Sequence, residues 1–323
     1  MTIVEAVDTL SAKERMAGHE TGIAAALLAK LQQGQSLSNA LQSLPGASLV
    51  LVASVRAGER TSNLVEALDD YLRFENLVGQ LRRKVTSAAI YPALVAMLGA
   101  GISLFLLIVV MPNFARMYEN LRGSDGGSIA WMLSFSKIVN DHQIDLVALL
   151  LLLVALAGAW IGSGGAQRAA TRIAGAAPWV RRRIEDFQLA MMYQALALLL
   201  KGGYPMTESM AVAGGSALSV SLQASLESAR QNIEHGFAVA QALADARLCD
   251  EVGRRLMAAA ERNGDFHIAA DVVSRLHGER FELFVERATR IVEPLLLLGV
   301  ALIVGTIVVM MYLPVFDMAV RLR

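Results

Sequence analysis

A single cysteine, Cys249, among 323 residues excludes an intramolecular disulfide, and no Cys-x-x-Cys or paired-histidine spacing marks a structural metal site. Lysine is also scarce. None of the five lysines follows a glycine, so the chain has no phosphate-cradling Gly-x-x-x-x-Gly-Lys-Ser/Thr loop and no support for nucleotide hydrolysis by that route. Net charge is absent as well: 29 basic and 29 acidic residues balance, which removes any bulk attraction to nucleic acid. Ser216 follows Gly214-Gly215 but lacks the Gly-x-Ser-x-Gly frame of an elbow nucleophile. His19, His142, His235, His267 and His277 show no helical metal spacing, and surface or capping roles are expected for them. The residues point to no enzyme and no cofactor.

What the chain has in quantity is apolar surface: 55% of its residues are hydrophobic and the mean hydropathy is +0.47, too apolar for an ordinary soluble protein. Pro92 and Pro112 bracket an uncharged run, and Pro294 and Pro314 bracket another; 294 − 92 and 314 − 112 both give 202. At 1.5 Å per residue, a helix of about 20 residues spans roughly 30 Å, the hydrocarbon thickness of a bilayer. The same offset runs upstream without a gap. It places Gly34 on Gly236, Ala40-Leu41 on Ala242-Leu243, Ala57 on Ala259, Glu59-Arg60 on Glu261-Arg262, Asp69 on Asp271, Arg73 on Arg275 and Leu81 on Leu283. The repeated unit is a helical domain followed by one membrane span.

Two copies pointing the same way need a return crossing, and the uncharged run Leu146 to Gly162 supplies it. Arg82, Arg83 and Lys84 precede the first span, Arg168, Arg172 and Arg181 to Arg183 follow the second, and Arg287 and Arg290 precede the third. By the positive-inside rule, both large domains are then cytoplasmic. The start Met1-Thr2-Ile3-Val4-Glu5 is unlike a signal peptide, so insertion falls to the internal segments. The expected fold class is all-α, with two repeated cytoplasmic helical-bundle domains and three transmembrane helices. The first cytoplasmic domain is placed at 1–89 and the spans at 90–112, 144–163 and 292–314. A periplasmic loop occupies 113–143, the second cytoplasmic domain 164–291 and a periplasmic tail 315–323. The N-terminus is thus cytoplasmic and the C-terminus periplasmic.

Apolar residues at three- and four-residue spacing (Leu64, Leu68, Tyr71, Leu72, Phe74, Leu77, Leu81, Val85) predict one buried helix face running towards Pro92. No sustained alternation argues for strands. Lys201-Gly202-Gly203 followed by Tyr204-Pro205 reads as a helical hairpin, and Gly34 before Ser36 as a cap and turn. Pro92 and Pro294 are expected to mark a bend where a cytoplasmic helix enters the bilayer.

Ala57-Gly58-Glu59, Ala88-Ala89-Ile90-Tyr91-Pro92, Gly202-Gly203-Tyr204-Pro205 and Glu293-Pro294-Leu295 together resemble the type II secretion system F family. These are inner-membrane platform proteins of type II secretion and type IV pilus machines. The family's Gly-Glu-x-x-Gly-x-Leu turn is incomplete in each copy: Ser62 replaces the last glycine in the first, Ala260 the first glycine in the second, and Gly264 is kept. Thr2 to Val7 matches Pro205 to Met210, so the first domain lacks the counterpart of the helix around Phe187 to Leu200. It is expected to be less stable or to complete its bundle with a partner.

Two site groups stand out: Gly58, Glu59, Glu261 and Gly264 at the repeated turn, and Tyr91, Pro92, Glu293 and Pro294 where the spans begin. Glu59 and Glu261 have two readings, a helix-end carboxylate holding backbone N–H groups of the next helix, or a contact with a partner or cation. The resemblance implies a bacterial inner-membrane platform. It would couple a cytoplasmic hexameric secretion or pilus ATPase to pilin or pseudopilin subunits, work beside other inner-membrane assembly proteins, self-associate and bind no nucleic acid. The alternative is a small transporter or channel subunit. That would need polar groups inside the spans, where only Ser103 and Thr306 are notably polar.

Overall fold

The computed structural model describes residues 2–17, 22–114, 178–215 and 218–321, with isolated positions between 141 and 152. Among the described residues every regular element is a helix. The first copy holds α1 (Ile3–Met16), α2 (Ile23–Gln32), α3 (Leu37–Gln42), α4 (Leu49–Thr61) and α5 (Leu64–Phe105). After the undescribed stretch come α6 (Pro178–Lys201), α7 (Met206–Gly214), α8 (Val220–Glu234), α9 (Val239–Asp245), α10 (Glu251–Asn263) and α11 (Phe266–Arg321). Shifted by 202, α4 falls on α10 residue for residue, and α5 begins where α11 does. Among the described residues no helix of the first copy corresponds to α6.

The local chemistry accounts for the matching bounds. Gly34 and Gly236, at equivalent places, adopt φ of +83° and +89°, a left-handed turn that glycine enters without a Cβ penalty. Ser36 then caps α3, its Oγ accepting from the Asn39 N–H. In the hairpin, α6 ends at Lys201, Gly203 has φ +80°, and Pro205 is the N-cap of α7.

One compact unit comprises Met1–Arg82 and Pro178–Glu282. Its core is shared by both copies. Val50, Phe74 and Val78 of the first copy lie in one apolar cluster with Met192, Tyr193 and Leu196 of α6 and with Met210, Leu243, Met257 and Val273. The hairpin α6–α7 is seated on α4: the Tyr204 hydroxyl donates to the Ala53 carbonyl at 3.1 Å, and a Cβ on Gly202 would stand 3.0 Å from that of Ala57. α4 and α5 of the first copy thus share their cover with a helix of the second. The buried stripe on α5 also differs from the expectation. Phe74 and Val78 are buried, whereas Leu72 and Leu77 are 56% and 40% exposed. The spacing Leu64, Ala67, Tyr71, Phe74, Val78, Leu81 keeps one face of a 3.6-residue helix, and Leu72 and Leu77 turn off it.

The second unit, among described residues, contains the remaining parts of α5 and α11. Both helices carry a stretch long and apolar enough to cross a membrane, and only 11% of each such stretch is buried. Pro92 and Pro294 lie inside these helices, which continue through them, so neither proline starts a new helix. The missing N–H costs one hydrogen bond in a long helix, and the flanking turns carry it. Leu106–Val110 is a π-helical stretch, and the helix then continues to Phe114. In α11 the helix runs past the expected span limit to Arg321. Nearly all of the expected span at 144–163 and of the loop at 113–143 lies outside the described residues.

Candidate functional site

Glu59 sits in the last turn of α4 and reaches back to α3. Its Oε1 accepts from the Ser38 N–H at 3.3 Å, and its Oε2 accepts from the buried Ser38 hydroxyl at 2.5 Å. Glu261 does the equivalent from α10, its Oε1 accepting from the Val239 N–H at 2.8 Å. Each carboxylate thus meets the first turn of the short helix before its own. That reverses the direction expected from sequence, where the helix after the turn was to be held. The cause is geometric: the connections before α4 and α10, which hold the left-handed residues Gly46 (φ +87°) and Arg247 (φ +57°), turn each helix back along its predecessor, so its last turn lies at the predecessor's start. A carboxylate at a helix N-terminus satisfies an orphan donor and meets the positive end of the helix dipole.

The two copies build that closing turn from exchanged parts. Ser62 (φ +57°) and Gly264 (φ +84°) are the left-handed C-caps of α4 and α10. At the other position the first copy has Gly58, where a Cβ would lie 2.8 Å from the Ala67 Cβ and 3.0 Å from the Leu64 Cα. The second copy has the buried Ala260 there. So the first copy spends its glycine on close helix approach, and the second on backbone handedness. Glu59 and Glu261 are not brought into one site; each serves its own copy.

The other group does come together in part. The Tyr91 hydroxyl donates to Glu293 Oε1 at 3.1 Å, across residues separated by 202 and therefore equivalent in the repeat. Beyond it, a Cβ on Gly99 would lie 2.3 Å from Val300 Cγ2, and the rings of Phe114 and Tyr312 are 6.4 Å apart. The two apolar helices run parallel, the offset between facing residues falling from 202 at Tyr91–Glu293 to 201 at Gly99–Val300 and 198 at Phe114–Tyr312. Pro92 and Pro294 flank the Tyr91–Glu293 bond without joining it.

A buried polar cluster escaped the sequence reading. His277, expected at the surface or at a cap, is 5% exposed, and its Nδ1 lies 2.9 Å from Asp186 Oδ1. Arg183 holds the other Asp186 oxygen at 2.9 Å. The Tyr193 ring stacks on His277, with centroids 6.1 Å apart and planes 3° from parallel. Its hydroxyl donates to the Leu248 carbonyl at 3.2 Å, and burial pushes its pKa well above the phenol's ordinary value. Cys249, beside it, is pushed up to about 11, chiefly by burial and then by the charge of Asp250. Asp250 caps α10 through the Gly253 N–H at 2.8 Å and pairs with Arg280. The available signal was spacing, since His277 continues the stripe Ala270, Val273, Ser274, Phe281 that α11 buries. Among the described residues no group of three His, Cys, Asp or Glu side chains is placed to hold a metal ion.

The sequence profile of the family described as "Type II secretion system (T2SS), protein F" matches residues 1–112 and 192–314. The chain belongs to the type II secretion system protein F family. Both matched segments of this F-family chain contain one glutamate turn and one long apolar stretch. It is 27% identical over 300 residues to the "Type 4 fimbrial assembly protein PilC" of Pseudomonas putida, an overlap of 91% of this chain and 75% of that protein. It is 28% identical over 291 residues to the "Type IV pilus assembly protein PilC" of Thermus thermophilus, across 88% and 71%. With the "Type II secretion system protein F" of Aeromonas hydrophila it shares 21% over 319 residues, across 98% and 82%. The F-family profile stops at 112 and resumes at 192, inside α6.

Proposed function

We propose that this chain is an inner-membrane platform for assembling a type IV pilus or a type II secretion pseudopilus, coupling a cytoplasmic hexameric ATPase to the incorporation of pilin-like subunits. The observation that carries the reading is the F-family match on both copies, each ending in an apolar helix that the protein itself leaves uncovered. Relatives named for pilus assembly and for type II secretion support the class of machine. The positive-inside pattern supports two cytoplasmic domains, an N-terminus in the cytoplasm and a C-terminus outside. Three spans, the second at 144–163, satisfy that topology.

Ser103 and Thr306, polar side chains within the two described apolar stretches, support a platform over a transporter. The Ser103 hydroxyl donates to the Gly99 carbonyl at 2.8 Å and that of Thr306 to the Leu302 carbonyl at 2.7 Å, so each is satisfied within its own helix. A transport path needs polar groups held for a substrate or ion. The ATPase contact is assigned to the second copy, residues 168 to 290, whose described helices include α6. Its test uses the whole chain, since Val50, Phe74 and Val78 of the first copy complete the shared core. The purified full-length protein in detergent is expected to capture the ATPase, to hydrolyse no ATP and to pass no solute in liposomes. Gene deletion is expected to stop fibre assembly while subunits are still made and inserted. Solute flux without ATPase capture overturns the platform reading.

A further inference from the structure

The two copies touch through a contact whose parts the repeat contains twice and the chain uses once. The α6–α7 hairpin of the second copy lies on α4 of the first: a Cβ on Gly215, the C-cap of α7, would stand 2.8 Å from Leu49 Cδ1, and Val212 of α7 packs on the apolar cluster that holds Val50. Under that cover Val50 is 3% exposed, and Ala53 and Ala57 are buried beside it.

A shift of 202 replaces α7 by α1 and α4 by α10, and there the cover is missing. Val252, in the place of Val50, is 51% exposed, and Leu10, in the place of Val212, is 56% exposed. Arg255 and Ala259, in the places of Ala53 and Ala57, are exposed too. A lone exposed valine or leucine means little. Here both halves of a contact that buries their equivalents lie open at once. Their chemistry is complementary. At the shifted positions Leu49 and Gly215 become Glu251 and Lys13, opposite charges at one contact. Glu251 already holds Arg254 and Arg255 from its own helix, so Lys13 joins a charge network rather than a bare carboxylate. As whole helices, α1 carries three acids against two bases and α10 three arginines against two glutamates, so one is net negative and the other net positive.

We propose that α1 of one molecule docks on α10 of a second copy of this chain, repeating between chains the contact that α7 makes with α4 within it. Each molecule then offers one α1 face and one α10 face. Such a contact joins unlike surfaces, and it closes as a reciprocal pair or as a ring. Leu10 covers Val252 at its centre, and Lys13 meets Glu251 at its edge. The contact stands independently of the ATPase and fibre roles.

The test uses two full-length chains with different tags, co-expressed and oxidised in isolated membranes. Both carry Cys249→Ala, one also Lys13→Cys and the other Glu251→Cys. A disulfide joining the two tags is expected, whereas Lys13→Cys paired with Ser228→Cys, exposed on α8, should give little. A second measurement keeps the native cysteine and reads how much of one tagged chain the other captures in mild detergent. Lys13→Glu and Glu251→Lys should each lower capture about fivefold, as for one exposed charge pair. Leu10→Asp should lower it further, at a position too exposed for the fold to depend on it. Lys13→Glu and Glu251→Lys carried together by every chain should restore capture, a recovery that misfolding cannot mimic. Cross-linking no stronger than the Ser228→Cys control overturns the proposal. So does a double reversal that captures no better than either single one, and so does capture indifferent to every substitution, which would leave the apolar helices as the means of association.

Discussion

Replacing Glu261 with alanine removes the side-chain acceptor at the start of α9. Ala238, the N-cap of that helix, makes no side-chain bond, and the Val239 N–H is held by Glu261 alone among side chains. Val239, Ala240, Ala242 and Leu243 are all buried, so water reaches this turn poorly. The loss is about 1 kcal/mol for a missing cap and rises towards about 3 kcal/mol if the N–H stays dry. Glutamine keeps the oxygen and forfeits the charge–dipole attraction, about 0.3–1 kcal/mol. Glu59 is cheaper to lose. Its N–H bond is long at 3.3 Å, α3 has its own cap in Ser36, and the Ser38 hydroxyl has the Ser36 Oγ at 3.3 Å as a substitute. The expected order of destabilisation is Glu261→Ala, then Glu261→Gln and Glu59→Ala together. For a unit of this size each 1 kcal/mol lowers Tm by about 2–4 °C. The assay is thermal melting of the purified protein followed by circular dichroism, paired with fibre counts and protein levels in cells. If Glu261→Gln abolishes assembly with Tm and protein level unchanged, the carboxylate is a partner contact and the capping argument fails.

Exchanging the closing residues should move stability in opposite directions: Ser62→Gly gains and Gly264→Ser loses about 1 kcal/mol each, because only the backbone conformation is at stake where a Cβ on Gly264 would meet nothing within 4 Å; melts that shift the same way refute it. Gly99→Leu should separate the paired apolar helices, since even a Cβ there would overlap Val300, whereas Tyr91→Phe should loosen only the Glu293 end by about 1 kcal/mol. Cysteine cross-linking between the two helices reports both, and unchanged cross-linking in Gly99→Leu would contradict the packing. Cys249 should resist a membrane-impermeant maleimide in cells with a permeabilised outer membrane and react faster after denaturation than after lysis, because the folded thiol is held at about 11 against an ordinary 9.0. The stability it contributes is complete below about pH 9 and lost as pH rises through about 11. Labelling from outside would reverse the assigned orientation.

The repeat was legible because membrane spans and turns leave strong local marks: two proline brackets, a Glu-Arg pair and glycines at one offset. Helix bounds followed from the same marks, so Gly34, Ser36 and the Gly202-Gly203 hairpin fall where the chain turns. Long-range pairing left no such mark. That α4 would find its cover on α6, about 130 residues away in the chain, depends on shape, with Gly202 against Ala57, and not on any periodicity. His277 was misplaced for a related reason, because a histidine on an apolar stripe is surface-like by type and buried by spacing. The Tyr91–Glu293 bond was half visible: both residues were singled out for what precedes a span, but only the packing of the parallel helices joins them.

The shared core also sets a timetable for synthesis. Val50, Phe74 and Val78 leave the ribosome before any residue of α6 exists, and Pro178 follows Val78 by 178 − 78 = 100 residues. At about 5–20 residues per second, those apolar faces wait roughly 5–20 s for their cover. During that wait the apolar stretch beyond Pro92 emerges as well. The nascent first copy is thus expected to expose apolar surface until α6 arrives, and pausing translation between α5 and α6 should increase its aggregation more than a pause after α11 begins.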